Sequence, residues 1–332
     1  MRLKDVFLAT LIPAFLLAAS CAVEPETETY ASQDRVMKAW IRYNYPGTST
    51  YSGTSLYVLD MQPGEGPAVT DSSYVWVHYV KRTLDGDILS TNQQKLAEQL
   101  GSYSASSYYG SNIWRVDQGY LPDGLEKVIK SMKSGGSAKV ALPVSASEHE
   151  TSMYSAFSST SESANEVIEL TIDTVMTNVF TYQEKVMKDW FQRNYQISDT
   201  AANHLYFKKL EEKTAETDTI SEGGNISVRY IGRLLNGQVF DTNIEDTAKF
   251  YHIWKSSGSY DALTIAFYKA DESQFSENNS VVEGFGKAIT RMNFGETAVT
   301  VFGPQLGYGE KGSSPGIPEY APLCFWLYIE PK

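Results

Sequence analysis

Two stretches of the chain are near copies of each other, and they differ at positions that could carry chemistry. Residues 228–243 read VRYIGRLLNGQVFDTN, and residues 77–92 read VHYVKRTLDGDILSTN. The alternating apolar residues and the turn glycine agree, as two copies of one fold require. Where the later copy has an aromatic ring and a carboxylate, Phe240 and Asp241, the earlier copy has leucine and serine. We therefore expect the later copy to carry a chemical site and the earlier copy to keep the fold alone.

The charged and metal-binding residue types argue against two classes of function. The 332 residues carry a formal net charge of -12. They contain no cluster of Lys and Arg of the kind that binds a phosphate backbone, so we expect no nucleic-acid partner. The four histidines stand singly, away from ligand spacing to any Cys, Asp or second His, so we expect no metal site. They are His78, His149, His204 and His252.

An internal repeat organises most of the chain. Besides the opening pair, two further pairs of segments match between the halves: residues 33–45 with 183–195, and residues 124–143 with 284–303. The order is the same in both halves, and this length favours two domains of roughly 150 residues each. We place the first unit at residues 32–178 and the second unit at residues 179–332.

The pattern within each unit predicts many strands around one short helix. Each unit opens with a helical segment, in which Val36, Trp40 and Tyr43 are expected to form the docking face of the first copy. Alternating strands follow, with an Asp-Gly or Asn-Gly hairpin turn in each unit. A short amphipathic helix and two closing strands complete the unit. The predicted fold class is α+β with antiparallel sheets, each unit being preceded by an N-terminal helix.

The first residues have the layout of a secretory signal. Arg2 and Lys4 precede an apolar run that is too short to span a bilayer and ends in small residues. The stretch LAASC resembles a bacterial lipobox, whose cysteine becomes the lipidated first residue of the mature chain. We therefore expect a signal peptide at residues 1–21, lipidation of Cys21, and an acidic flexible tether at residues 22–31. The resemblance implies a bacterial cell-envelope protein, lipid-anchored at the periplasmic face or the cell surface.

Four short motifs run in order through the second unit, within residues 226–330: VRYIGRLLNGQVFD, VEGFGKAITRM, GYG and IPEYAPLCFWLYI. Each is weak alone, but in this order they resemble the FKBP-type peptidyl-prolyl isomerases. The resemblance implies a strongly bent antiparallel sheet wrapped over one short helix, with a small apolar pocket between them. The internal repeat extends this to a tandem pair of FKBP-like domains.

The resemblance also assigns the candidate site residues. It implies a substrate-binding wall of six side chains: Tyr230, Phe240, Val282, Phe285, Ile317 and Phe325. It implies two catalytic polar groups, Asp241 and Tyr308. Tyr308 would donate a hydrogen bond to the carbonyl oxygen of the residue before proline. Asp241 would orient the pocket or respond to the twisted carbonyl.

Elementary chemistry is consistent with such a site. The barrier to rotation about a peptide bond is about 18–20 kcal/mol, because rotation breaks the amide resonance. No bond is made or broken, so the reaction needs no nucleophile, general base or cofactor. The twisted amide is less dipolar than the planar one, so an apolar, water-excluded pocket favours it, and one or two placed polar groups favour it further.

The first unit departs from the family pattern. Aligned to the second unit, it has apolar or small replacements at five site positions: Leu89, Ser90, Pro122, Leu125 and Leu170, for Phe240, Asp241, Val282, Phe285 and Phe325. Between its last strands it also has neither Tyr-Gly nor Ile-Pro. Our hypothesis is that this unit keeps the fold and has lost the site. Its removal is then expected to leave turnover of a short peptide nearly unchanged.

The second unit departs from the pattern in one loop. Residues 244–280 form a segment about twice as long as expected of a minimal family member. Long loops are usually functional or disordered, so this one is predicted to be either a lid over the pocket or an elaborated sheet edge. A further aromatic residue of the family's pocket could be Phe250 or Phe267, or be replaced by Leu263 or Ile265.

Together these features predict a peptidyl-prolyl cis-trans isomerase that assists the folding of exported proteins, with its active site in the second unit. The expected partners are unfolded or proline-containing exported polypeptides, and the membrane through the lipid anchor. The alternative is a non-catalytic peptide- or protein-binding surface lipoprotein built on the same fold. A purely structural surface lipoprotein agrees less well with the complete motif set of the second unit.

Overall fold

The computed structural model describes six segments of the chain: residues 26–117, 119–148, 164–196, 204–215, 219–267 and 280–332. The predicted signal peptide and the predicted lipidation at Cys21 lie outside them. Within the six segments, each helix falls short of the length or the apolar character that a membrane span needs.

In the described residues of the first unit, the elements in chain order are α1 (Glu26–Asn44), β1 (Tyr57–Gln62), β2 (Ser73–Thr83), β3 (Ile88–Thr91), α2 (Gln94–Gln99), β4 (Asn112–Val116), α3 (Asp123–Lys130), β5 (Ser137–Leu142), α4 (Val144–Glu148) and β6 (Glu166–Met176). The strands form one antiparallel sheet in the order β1-β5-β6-β2, and both β3 and β4 pair with β2.

The second unit repeats this plan: α5 (Val179–Tyr195), β7 (Leu205–Glu211), β8 (Asn225–Leu234), β9 (Val239–Thr242), α6 (Glu245–Phe250), β10 (Leu263–Ala266), α7 (Glu283–Ile289), β11 (Thr297–Phe302), a single 3-10 turn (Pro304–Leu306) and β12 (Leu323–Ile329). Its sheet has the order β7-β11-β12-β8, with β9 and β10 both pairing with β8. The equal connectivity of the two sheets confirms the predicted α+β class and the tandem repeat.

A short helix covers one face of each sheet and closes its core. In the first unit, Leu125, Val128 and Ile129 of α3 are fully buried against the strands. In the second unit, α7 buries Phe285 and Ile289 in the same way. The pairing of each hairpin shifts register once, so that β2 and β8 carry an irregularity beside the turn. Such bulges bend a strand and increase its twist.

The N-terminal helices dock through a different face from the predicted one. Val36 and Tyr43 are 50% and 87% exposed, whereas Met37 and Ile41 are buried on the first sheet. Both sets have helical spacing, and the aliphatic set is the one that packs on the sheet. Trp40 bridges the two faces, since its indole N–H donates to the Leu84 carbonyl at 2.9 Å.

The second unit repeats this docking geometry. Met187 and Phe191 of α5 are buried, and the indole of Trp190 donates to the Leu235 carbonyl at 3.0 Å. Both tryptophans thus fasten their helix to the hairpin turn that follows β2 or β8.

The start of the first helix corrects the predicted tether, because α1 begins at Glu26. The later part of the segment predicted to be a tether, residues 22–31, is therefore helical.

Strand register corrects one expected equivalence between the units. Gly232 of β8 pairs with Phe325 of β12, while Lys81, its counterpart on β2, pairs with Ile168 of β6. Ile168 therefore stands in the place of Phe325, and Leu170 stands in the place of Leu327. The last strands of the two units are too dissimilar in sequence to be aligned reliably, so the predicted equivalence was two residues out of register.

The two units pack tightly against each other. Only Thr177 and Asn178 separate β6 from α5. Tyr320 of the second unit is fully buried in a cluster with Ile113 of the first. The Asn112 amide donates to the Glu319 carboxylate across the boundary at 2.7 Å. The first unit is therefore held against the segment that precedes β12, which also carries part of the candidate site.

Candidate functional site

A cluster of aromatic rings forms the floor of the candidate site, with Phe325 at its centre. The Phe325 ring meets Phe285 at a centroid distance of 5.3 Å and Phe240 at 5.7 Å, both edge to face. It stacks on Phe302 at 5.7 Å with an interplanar angle of 7°. Tyr230 completes the cluster, since its ring meets the Phe285 ring edge to face at a centroid distance of 5.8 Å. These geometries are favourable for aromatic pairs, so the floor is well packed and apolar.

Gly232 allows two of these rings to approach the sheet. A Cβ atom at this position would lie 2.8 Å from the Phe240 ring and 2.9 Å from the Phe325 ring. Any side chain would therefore push the rings apart. The first unit has Lys81 at the equivalent place, where it forms an ion pair with Glu166 at 2.8 Å. The glycine thus distinguishes the unit that builds the aromatic floor from the unit that does not.

Three polar groups stand at the rim of this floor. The Tyr230 hydroxyl donates to the Asp241 carboxylate at 2.8 Å. Burial raises the pKa of Tyr230, and the Asp241 charge raises it further. Burial and the same carboxylate also raise the pKa of Tyr308, whose side chain is 41% exposed. Both phenols therefore remain protonated donors well above neutral pH, and Tyr308 is open to a ligand.

The helix α7 and the segment before β12 supply the remaining wall. Phe285 is 3% exposed, and Val282 caps the start of the helix beside it. Gly284 faces the Phe302 ring so closely that a Cβ atom would overlap it. The helix can therefore lie directly on the floor. Ile317 is buried in the same core cluster.

Thr242 and Asn243 hold Tyr230 in place, a function that the sequence analysis missed. The Tyr230 backbone N–H donates to the Asn243 side-chain oxygen at 2.9 Å, and the Thr242 hydroxyl donates to the Tyr230 carbonyl at 2.6 Å. The Asn243 amide donates in turn to the Val228 carbonyl at 2.8 Å.

The first unit has the same arrangement around Tyr79. The Tyr79 N–H donates to Asn92 at 2.9 Å, and the Thr91 hydroxyl donates to the Tyr79 carbonyl at 3.0 Å. The Thr-Asn pair kept in both copies of the repeat was the available signal. Because it is present with and without Asp241, it belongs to the scaffold of the site.

The structure brings all eight predicted site residues together. Phe285, Ile317 and Phe325 belong to one buried core cluster. Tyr230, Phe240 and Val282 pack against it, and Asp241 and Tyr308 lie at its rim. Their individual roles stay predictions. Of the two aromatic candidates for a further pocket residue, Phe250 is 75% exposed, whereas Phe267 is buried in the same core cluster, together with Ile265. These burials favour Phe267 over Phe250.

The long segment 244–280 contributes to the sheet edge. Its strand β10 pairs with β8, matching Leu263 with Val228 and Ile265 with Ile226. Residues 268–279 lie outside the described segments, so the alternative of a lid stays a prediction. Just after α6, the segment also exposes aromatic side chains, of which Trp254 is 43% exposed.

The equivalent place in the first unit is filled differently. Leu89 is half exposed and turns away from the core. Trp114 of β4, which takes the register position of Ile265, is fully buried and packs on Tyr79 at 5.7 Å. A bulky indole thus occupies the core next to the tyrosine. The first unit has the fold, but it lacks the phenylalanines and the carboxylate of the site.

The arrangement in the second unit can bind a small apolar group and polarise an amide. Its floor is apolar, and the polar groups of Asp241 and Tyr308 lie at the rim of that floor. Among the described residues, no group of three or more His, Cys, Asp or Glu is arranged to hold a metal ion.

Comparison with known sequences agrees with this geometry. Residues 216–329 match the sequence model of the family described as FKBP-type peptidyl-prolyl cis-trans isomerase. The peptidyl-prolyl cis-trans isomerase Mip of Coxiella burnetii is 30% identical over 118 residues, which is 36% of this chain and 40% of the relative. A probable FKBP-type peptidyl-prolyl cis-trans isomerase of Haemophilus influenzae is 26% identical over 145 residues, 43% of this chain and 49% of the relative.

A third relative matches over a longer stretch. The Mip isomerase of Chlamydia muridarum is 24% identical over 229 residues, which covers 69% of this chain and 75% of the relative. By contrast, the chain spans less than half the length of the Coxiella and Haemophilus relatives.

Proposed function

We propose, from the membership of residues 216–329 in the family of FKBP-type peptidyl-prolyl cis-trans isomerases, that this chain catalyses prolyl cis-trans isomerisation. The proposed active site lies in the second unit. The observation that carries the proposal is the joint presence of Asp241 and Tyr308 above the apolar floor centred on Phe325.

In the proposed mechanism, the proline ring lies on the floor formed by Phe240, Phe285 and Phe325. The apolar surroundings favour the twisted amide, because it is less dipolar than the planar ground states. The Tyr308 hydroxyl donates to the carbonyl oxygen of the residue before proline. Asp241, held by the Tyr230 hydroxyl, fixes the polar side of the pocket. Lowering the barrier by about 5 kcal/mol would accelerate the exchange by roughly four decades.

The proposed cellular setting follows from the N-terminal sequence. Export and lipidation of Cys21 would anchor the protein to a membrane of a bacterial cell envelope. Its substrates would be unfolded, proline-containing exported polypeptides. Outside the cytoplasm ATP is absent, so a folding factor there depends on isomerisation and on passive binding.

A second candidate function is peptide binding without catalysis. It is favoured by the first unit, which retains the fold without the phenylalanines and the carboxylate of the site and buries a tryptophan in its core. It is also favoured by the exposed aromatic side chains of Phe250 and Trp254 beside α6. In this alternative the second unit would bind peptides and leave their exchange rate unchanged.

The test is a prolyl exchange assay on a short peptide with an apolar residue before proline. The full chain is compared with its Tyr308→Phe and Asp241→Ala variants. The matched control is Ser90→Ala, which alters the position equivalent to Asp241 in the first unit. The full chain is preferred to the isolated second unit, because removing the first unit would expose Tyr320.

Acceleration by the parent, a fall of about tenfold or more in each site variant, and no change in Ser90→Ala would support the proposal. Detectable peptide binding without acceleration would favour the binding module. Equal turnover in the parent and both site variants would contradict the proposed site.

A further inference from the structure

A segment of the first unit lies directly beside the candidate site. The Tyr108 backbone N–H donates to the Pro315 carbonyl at 2.7 Å. The Gln238 side-chain amide donates to the Ser107 carbonyl at 2.9 Å. The Tyr108 ring packs against the core cluster that contains Phe240. The first unit thus extends the wall of the second unit's site, although it has no site residues of its own.

A groove of about 280 Å³ runs between this segment and the hairpin of the second unit. The first unit lines it with residues that include Tyr103, Ser107 and Tyr109, and the second unit with residues that include Gln238, Val239 and Tyr251. Both units are therefore needed to form it.

The groove lies close to the candidate proline pocket. Val239 of β9 lines the groove, and Phe240, the next residue of the same strand, belongs to the aromatic floor. A Cβ atom placed on Gly316 would lie 2.8 Å from the Ser106 carbonyl oxygen and 3.6 Å from the Phe240 Cβ. The edge of the pocket and the first unit's segment therefore meet at Gly316, which precedes the wall residue Ile317.

The chemistry of the groove suits an extended, uncharged polypeptide. The Tyr103 and Tyr109 rings stack at 5.4 Å with an interplanar angle of 23°. Tyr103 is 46% exposed and Tyr251 is 38% exposed, so both rings are available for contact. Every residue that lines the groove is uncharged. Tyrosine supplies a large rigid contact area at low entropic cost, and aromatic grooves are a recurring site for extended chains.

The side-chain amides of the groove complete this match. An extended segment leaves its backbone N–H and C=O groups without internal partners. Gln94 and Gln238 line the groove and offer both donors and acceptors. The residue before a proline is itself biased towards an extended conformation.

We propose that the groove binds the uncharged segment that flanks the proline of the polypeptide substrate. The first unit would thereby act as the part of the enzyme that selects longer substrates. The proposal rests on the proposed isomerase function, since its occupant is the continuation of a substrate whose proline lies in the pocket.

The experiment uses the full chain and two peptides with the same central proline. One has four residues, and the other has twelve, with uncharged flanks on both sides. Exchange rates are measured for both peptides, and binding of the labelled twelve-residue peptide is measured separately by fluorescence anisotropy. The variants are Tyr103→Ala, Tyr251→Ala and the ring-retaining Tyr103→Phe. The control is Tyr43→Ala, which removes a tyrosine that is 87% exposed on α1.

We expect the parent to bind the long peptide about fivefold to tenfold more tightly than either alanine variant does. Tyr103→Phe and Tyr43→Ala should bind it like the parent. Exchange of the four-residue peptide should be the same in all proteins, which also verifies that each variant is folded.

Two failures can be told apart. Turnover of the short peptide together with equal binding of the long one by the parent and both alanine variants would overturn the groove and leave the isomerase standing. No acceleration of either peptide by any of the proteins would overturn the isomerase. In that case a loss of binding in Tyr103→Ala would still support the groove as a peptide site.

Discussion

The phenol of Tyr230 and the carboxylate of Asp241, which stand on neighbouring strands, are joined by a hydrogen bond of 2.8 Å. Tyr230 is the donor, and burial together with the nearby carboxylate raises its pKa. The proton therefore stays on the phenol throughout the physiological range. Asp241 is exposed to solvent, and this bond orients its carboxylate.

Tyr230→Phe should separate the role of this bond from the role of the ring. Phenylalanine keeps the edge-to-face contact with Phe285 and removes only the hydroxyl. We expect the free energy of unfolding to fall by about 0.5–1.5 kcal/mol, the net value of one hydrogen bond. Prolyl exchange should slow by about threefold to tenfold, because Asp241 is no longer held. Equal exchange rates for the parent and this variant would show that the orientation of Asp241 does not matter.

Gly232→Ala should impair both the site and the stability. The new Cβ would lie within 3 Å of two rings of the floor, Phe240 and Phe325. Overpacking of this kind costs about 1–3 kcal/mol. We expect a loss of unfolding free energy in that range, measured by denaturant titration, and a loss of exchange activity of at least tenfold. Gly224→Ala is the control, since its nearest contact would be 3.1 Å and lies away from the floor.

Asn243→Ala and Asn92→Ala form a matched pair. Each asparagine accepts from the N–H of a tyrosine and donates to a strand carbonyl, with equal distances in both units. Removing either side chain leaves two buried backbone groups without these partners, which costs about 1–3 kcal/mol. Both variants should therefore lose similar stability in calorimetry. Only Asn243→Ala should also lose prolyl exchange activity, since only Tyr230 belongs to the proposed site.

The sequence was sufficient for the architecture, and it singled out eight residues that the structure places close together. The repeat, the hairpin turns and the short helices have strong periodic signals, and each of them is confirmed. The eight predicted site residues lie close together because the strands and the helix that carry the four motifs are arranged as the resemblance implied.

The sequence was insufficient to predict which face of a helix is buried, how two strands align, and which surfaces of the two units meet. Val36 and Met37 both begin a helical stripe, and periodicity cannot say which one faces the sheet. The shift from Leu170 to Ile168 depends on strand register, which one sequence does not fix. The contact between Asn112 and Glu319 joins residues of different units, and no local pattern reports which surfaces will meet. Gly232 was visible as a difference from Lys81, but its reason is a close approach that only coordinates show.

Tyr320→Ala should uncouple the two units. The Tyr320 ring is fully buried at their boundary and meets Tyr74 edge to face at 5.3 Å and Phe180 at 5.9 Å. Truncating a buried aromatic residue costs about 3–5 kcal/mol. We expect a single denaturation transition of the parent to become two, because the units would no longer unfold together. Tyr328→Ala, which removes a partly exposed ring from the same unit, should keep one transition.

Glu319→Gln should show how the carboxylate buried at the boundary between the units changes the stability with pH. Burial raises the pKa of Glu319, although the hydrogen bond from Asn112 opposes the shift. The folded protein therefore holds this proton at pH values where the unfolded chain has lost it. The stability that the group contributes is present below its ordinary value of 4.5 and is lost as the pH rises towards the raised value. Glutamine can accept the same bond from Asn112 and carries no charge.

We therefore expect Glu319→Gln to be as stable as the parent at low pH and more stable at pH 7, by about 1 kcal/mol. Denaturant titrations between pH 4 and pH 8 would measure the difference. Glu310→Gln is the matched control, because Glu310 also bridges the units, accepting from Tyr120 at 3.0 Å, but is partly exposed. A parent whose advantage over Glu319→Gln grows with pH would show that the carboxylate favours the assembled pair in its charged form.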